Sequence, residues 1–380
     1  MNNIPVWPIS NEEEQIAVNK VLASGLWWRN VGTEVKAFEK EFADYNNCTG
    51  CVSVCNGTVA IEIALKILGI SEGDEVIVPD MTFYSTVSAV LICKAVPVMV
   101  DVSPETFCID INEIKKNVTN KTKAIIVVHM AGNVCDMDEI CAFAKEKNIY
   151  VIEDAAHAHG ALYKGKKAGS LADCSTFSFQ NAKLLTSGEG GAVLCNNKEL
   201  LNKMFLYSNC GRAENDTTYQ HIMTATNARL SELQGAVLRV QLRRLNEQHK
   251  LRCRNYKLLS EMFKDIPGIK MQYINDSVES SHYMVMFYYD KCHFNNKSRE
   301  EFVAYLKNNG ISCNRAFEAI HRLPVFSSLD SSKWKVCKDS ADKKMNSEII
   351  AENAVGLNHS VLLGNDEYLQ FIVKTIKEFK

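Results

Sequence analysis

Lys183 is placed unlike a lysine whose task is solubility. It follows an apolar stretch at 175–179 and precedes a glycine-rich turn, Thr186-Ser187-Gly188-Glu189-Gly190-Gly191. Desolvation there favours the neutral amine, the form that attacks a carbonyl carbon to give a Schiff base. A surface or salt-bridged lysine is the plainer alternative. The glycines come after the lysine, whereas a phosphate-binding P-loop needs them before it, so that reading is set aside.

Three further segments carry candidate chemistry. Asn56-Gly57-Thr58 stands where a short strand turns into a helix. A helix start offers free N–H groups and a positive dipole end, Gly57 allows close approach and Thr58 adds a hydroxyl, which together suit a phosphate. An ordinary helix cap is the alternative. Glu153-Asp154-Ala155-Ala156-His157-Ala158-His159 follows a strand at 150–152, the kind of strand end where α/β sheets bind ligands. An acid there suits a ring nitrogen or a metal, but HExxH and three-histidine patterns are absent and no metal site is expected. Thr226-Asn227-Ala228-Arg229-Leu230-Ser231-Glu232-Leu233-Gln234 reads as a helix start capped by Ser231. Cys48, Cys51 and Cys55 have a metal-like spacing but lack a fourth ligand, and are expected to pack in the core.

The elements that must position these groups alternate. Strands are expected at 52–54, 76–78, 96–100, 124–128, 150–152, 175–179 and 192–195, with helices at 32–45, 58–68 and 136–147. The run at 124–128 is wholly apolar, as in a parallel strand covered on both faces. An amphipathic helix at 13–24 precedes them. After about residue 230 the pattern changes to a long helix at 231–262, a strand at 283–288, and helices at 298–308 and 366–379. The expected fold is α/β: an arm and helix over 1–30, a large domain with a mostly parallel sheet over 31–245, and a smaller α+β domain over 246–380.

The 380 residues carry a net charge of -2 and 46% hydrophobic residues, with no polybasic block. Neither nucleic acid nor a membrane is an expected partner. The opening MNNIPVWPISNEEEQ lacks the basic and apolar regions of a signal peptide, so a cytoplasmic protein is expected, its 14 cysteines reduced. The first strand is not followed by G-x-G-x-x-G, which argues against a nucleotide-binding oxidoreductase.

Taken in order, these residues resemble the DegT/DnrJ/EryC1/StrS family of sugar aminotransferases. The resemblance runs from Trp7 to the final helix through NGTVAIEIALKILGISEGDEVIVPDMTF, PVMVDVSPETF, VVHMAGNVCDMDEI, VIEDAAHAHGA, FSFQNAKLLTSGEGGAV and ARLSELQ. It implies the pyridoxal 5'-phosphate (PLP) dependent fold type I, the aspartate aminotransferase fold. It implies that Lys183 forms a Schiff base with PLP, that Asp154 pairs with the pyridine nitrogen and that Phe83 stacks on the ring. Gly57, Thr58 and Ser178 would cradle the phosphate, and His157 would stand near the ring. Asn227 would reach the phosphate of a neighbouring subunit, which implies a homodimer with shared active sites. Gln180 stands where family members often carry histidine.

The implied reaction moves an amino group from L-glutamine or L-glutamate to a keto-sugar or keto-cyclitol. The chain also resembles an aromatising branch, whose members dehydrate 5-amino-5-deoxy-3-dehydroshikimate, but Tyr84, His321 and the Ser231–Gln234 segment depart from it. Intact Lys183 argues against the family's dehydratases, which carry histidine there; with Asp154 and Ser178 it argues against a non-catalytic regulatory member. A hydroxyl-rich substrate needs several polar partners, for which Trp28, Arg29, Tyr84 and His321 are the candidates, with Trp27, Arg212, Arg315 and Arg322 behind them.

Overall fold

The computed structural model describes residues 6–214, 216–337 and 343–379. Its centre is an eight-stranded sheet, in spatial order Gly50–Val54, Gly191–Cys195, Cys174–Ser178, Tyr150–Asp154, Thr122–Val128, Glu75–Pro79, Val96–Val100 and Lys335–Val336. Gly191–Cys195 runs against both of its neighbours, and every other pairing within the sheet is parallel. The parallel strands therefore end on one edge, which carries Asp154, Ser178 and the Asn56-Gly57 turn.

Both faces of this sheet are covered, so its central strands are apolar throughout. On one face the Glu34–Tyr45 helix buries Val35, Phe38 and Phe42. Phe42 meets Phe177 edge-on at 5.0 Å, and Phe38 meets Phe179 at 5.3 Å. On the other face lie Gly57–Ile67, Ser85–Ile92 and Lys198–Ser208. The last two, and the short Ile111–Asn117 helix, are additional to the helices expected. Ser85–Ile92 is apolar almost all round, so it carries no helical periodicity to detect.

The Glu232–Phe263 helix begins in a capping box between Ser231 and Gln234, as the sequence suggested. Leu238, Leu242 and Leu245 lie in the core beneath the large sheet, and Leu259 and Phe263 in a second core. Residue 245 thus falls within one continuous helix that is anchored at both ends. Lys335–Val336 also returns to the large sheet, so the segment after 245 is not wholly a separate domain. The second core lies against a four-stranded antiparallel sheet, Ile269–Met271, Met284–Tyr289, Ala354–Asn358 and Cys313–Arg315. The N-terminal helix, Glu12–Ser24, docks on the long helix through Glu14, which accepts from Gln241 at 2.6 Å and pairs with Arg244. No helix among the described residues is long and apolar enough to cross a membrane.

Candidate active site

Strand alternation separates two adjacent acids. Glu153 points to one side of its strand and Asp154 to the other. Glu153 accepts from the Gly169, Leu171 and Ala172 N–H groups at 2.7, 2.7 and 3.1 Å and pairs with His129 at 3.0 Å. It is a satisfied structural acid. Asp154 instead faces a cavity of about 830 Å³ at the carboxyl edge of the sheet. Thr86 Oγ1 donates to its Oδ2 at 2.9 Å and the Ala156 N–H to its Oδ1 at 3.2 Å. Thr86 is in turn fixed by Thr82 at 2.9 Å. Burial pushes the Asp154 pKa up, against the pull of those two donors and of Lys183 and His129. No described cation lies within ion-pair distance of it. A buried carboxylate without a cation is costly, and a cationic ring nitrogen would complete it.

Lys183 enters the same cavity with Nζ 4.6 Å from the centroid of the Tyr283 ring. His157 stacks on the same tyrosine at 4.2 Å. Burial, then the nearby Lys183 charge, hold the His157 pKa well below its ordinary value, so the imidazole is neutral. Phe83 lines the cavity yet is 60% exposed, an aromatic face free to stack on a planar ring.

The phosphate-sized end is built by close packing. Gly57 opens the Gly57–Ile67 helix, and Asn56 caps it by accepting from the Val59 N–H at 2.9 Å. The N–H groups of Gly57 and Thr58, in the first turn, are ones a helix leaves free. A Cβ on Gly57 would lie 2.8 Å from Ser178 Cβ, so only glycine lets the serine sit against the helix start. The Thr58 and Ser85 hydroxyls meet at 2.6 Å beside it. Gly57→Ala should therefore weaken PLP binding about tenfold or more, the ~1–3 kcal/mol typical of forcing a methyl into a packed site. Cofactor release measured by fluorescence checks this.

These features fit PLP without adjustment: a buried acid for the ring nitrogen, an amine for the aldehyde, an aromatic face, and a helix start with hydroxyls for the phosphate. Gly57, Thr58, Phe83, Asp154, His157, Ser178 and Lys183 all line the cavity, with Gly57 packed against Ser178. Other sequence candidates stand elsewhere in this chain. Arg29 is 7% exposed, donates to Glu39 at 2.6 Å and to the Ser53 carbonyl at 3.0 Å, and lies over Phe205. Its charge is paired within the fold, as a buried arginine requires. Trp28 lies under Arg229, at 5.6 Å. Tyr84 packs edge-on to Phe326, and His321 is held by Asp80 at 2.7 Å and by Glu348 at 3.6 Å. Neither of these two lines the cavity. Asn227 is exposed and lies outside it as well. Cys48 and Cys51 pack against one core cluster and Cys55 against the other, so the three share no site.

Sequence reading missed Thr86, Tyr283 and a support beneath Lys183. Trp7 Nε1 donates to the Asn181 carbonyl at 2.9 Å, and His359 Nε2 to the Ala182 carbonyl at 3.1 Å. The two rings meet edge-on at 4.6 Å. The peptides just before Lys183 are thus pinned from both chain ends, a link that no local motif announces. Trp7→Phe keeps the ring and removes the donor. A severalfold faster loss of cofactor is expected, from the ~1 kcal/mol of one hydrogen bond, and a stopped-flow release assay reads it.

Residues 8–376 match the DegT/DnrJ/EryC1/StrS aminotransferase family. The chain is 38% identical over 378 residues to the 3-amino-5-hydroxybenzoate synthase of Amycolatopsis mediterranei, covering 98% of this chain and 96% of that one. It is 37% identical over 293 residues to the L-glutamine:2-deoxy-scyllo-inosose aminotransferase of Streptomyces lividus, covering 73% and 69%. A crystal structure of 3-amino-5-hydroxybenzoic acid synthase superposes with a TM-score of 0.92 at 37% identity, covering 99% of this chain and 98% of that one. Family and cavity agree on PLP as cofactor and on aminotransferase-type chemistry with sugar- or cyclitol-like substrates. The chain belongs to the DegT/DnrJ/EryC1/StrS aminotransferase family.

Proposed function

We propose that this enzyme dehydrates and aromatises 5-amino-5-deoxy-3-dehydroshikimate to 3-amino-5-hydroxybenzoate. The observation that carries the reading is the surroundings of Lys183. Its amine stands over Tyr283 in a cavity walled by ring faces. Tyr84 and His321, where the chain departs from the aromatising branch, are turned onto Phe326 and Asp80. The end-to-end likeness to a synthase of this product supports the same reading.

In this mechanism Asp154, oriented by Thr86 and the Ala156 N–H, would hold the cofactor's ring nitrogen. Gly57, Thr58 and Ser178 would hold its phosphate, and Phe83 and His157 would border its ring. PLP, when bound, supplies an electron sink for a carbanion. Lys183 Nζ takes the proton from the substrate's ring carbon and delivers one to the departing hydroxyl, which leaves as water.

A second reading, amino transfer from L-glutamine to a keto-cyclitol, is favoured by the likeness to the inosose aminotransferase. The same lysine would then carry the α-proton of the donor. One experiment separates the two. PLP-loaded enzyme is mixed with the amino-dehydroshikimate, and separately with L-glutamine. Ultraviolet absorbance of an aromatic product with the first substrate supports the synthase. No aromatic product, together with conversion of the cofactor to its amine form by glutamine, would replace it with the aminotransferase.

The active unit is proposed to be a homodimer in which Asn227 serves the partner's phosphate site. Lys183→Ala and Asn227→Ala chains, each inactive alone, should regain activity when co-expressed, since a mixed dimer keeps one intact site. Activity assays on heterodimers purified through two tags check this, and silent heterodimers would contradict it.

A further inference from the structure

Away from the PLP cavity, three side chains with metal-binding atoms converge. His249 and Cys253 are four residues apart on the Glu232–Phe263 helix and so share a face. Glu279 comes from Val278–Glu279, a strand that pairs with Leu162–Tyr163. One ligand atom from each lies within 4.8 Å of the other two. The geometry points to a binding site for one zinc-class divalent cation, held by His249, Cys253 and Glu279.

The distances carry the inference. Tetrahedral zinc bonds nitrogen at about 2.0 Å and sulfur at about 2.3 Å, which sets N···S near 3.5 Å and N···O near 3.3 Å. His249 Nε2 and Cys253 Sγ are 3.6 Å apart, and His249 Nε2 and Glu279 Oε1 2.9 Å. The first pair is already spaced for a shared ion, and the second needs to open by a few tenths of an ångström. Bound to the ion, a deprotonated thiol and a carboxylate would balance its charge.

A second observation lies beside the cluster. A surface cavity of about 1220 Å³ is lined by Cys253, Glu279 and His282, giving an ion a way in and room for water as a fourth ligand. His282 is 7% exposed and stacked on Tyr256 at 4.0 Å, and its Nδ1 has no hydrogen-bond partner. An ion here would tie the long helix to the segment leading into Tyr283, the ring beneath Lys183. The plain alternative is a histidine–glutamate hydrogen bond beside an ordinary thiol.

The test uses PLP-loaded enzyme treated with chelator and titrated with Co²⁺, whose ligand-field bands lie well to the red of the cofactor. Tetrahedral bands saturating at one cobalt per chain are expected, and Zn²⁺ should bleach them. Cys253→Ser and His249→Ala should abolish the bands, while Cys292→Ser, at an exposed cysteine, should keep them. Glu279→Gln should weaken the affinity at least about tenfold, since even outer-sphere partners are worth that much. Retained cofactor absorbance would show that the variants fold. A colourless titration, or bands that survive in both Cys253→Ser and His249→Ala, would overturn the site. The readout does not depend on which reaction the enzyme catalyses.

Discussion

Lys183→Ala should lose the visible absorbance of lysine-bound PLP and at least about a thousandfold in turnover. The magnitude follows from proton transfer alone, which a positioned base contributes at roughly 10²–10⁴-fold, and loss of the covalent link adds to it. No other lysine lines the cavity, so no described neighbour stands in for the missing amine. The fold should survive, because Lys183 makes no described ion pair and the turn around it is held by main-chain contacts to Trp7 and His359. A small primary amine added to the buffer should restore part of the activity, since it supplies the group the variant lacks. Spectra and turnover with and without the amine check this. A variant that keeps the visible band would place the link at another residue.

Asp154→Asn is expected to separate function from stability. Burial raises the Asp154 pKa, so the free protein loses stability as pH rises from the ordinary carboxylate value through the raised one, and is free of this cost only below the ordinary value. Asparagine removes the charge, and unfolding of the PLP-free variant should show an equal or higher midpoint at neutral pH. The loaded enzyme should behave oppositely. Removing one partner of a buried charge pair costs about 3–5 kcal/mol, or roughly two to four powers of ten in kcat/KM. Thr86 and the Ala156 N–H would still orient the side chain, so geometry alone does not rescue it. Paired melting curves and kinetics read both arms. A variant that is unstable without PLP yet normal in turnover would contradict the assignment.

The parts of the site that lie on one short segment were legible in the sequence. Gly57 and Thr58 follow a strand directly, Asp154 ends another, and Lys183 follows a third. Strand ends and helix starts mark such positions by local pattern. What escaped was set by tertiary packing. Tyr283 stands just before a strand of the second sheet, Thr86 comes from a helix without periodicity, and His359 and Trp7 from opposite ends of the chain. Arg29 has partners that local pattern does not announce either: only the folded chain shows Glu39 and the Ser53 carbonyl accepting from its guanidinium. In the second sheet, Ala354–Asn358, one of its two central strands, carries only a short apolar run broken by Gly356, too little to mark it in the sequence.

Chemical trapping shows directly whether Lys183 is the residue that takes the cofactor. The PLP-loaded protein is reduced with borohydride, which fixes the cofactor to the amine it is bound to, then digested and mapped by mass spectrometry. The account predicts a phosphopyridoxyl group on the peptide containing Lys183 and on no other. The same group on a different lysine, or on none while the protein is visibly loaded, would contradict it.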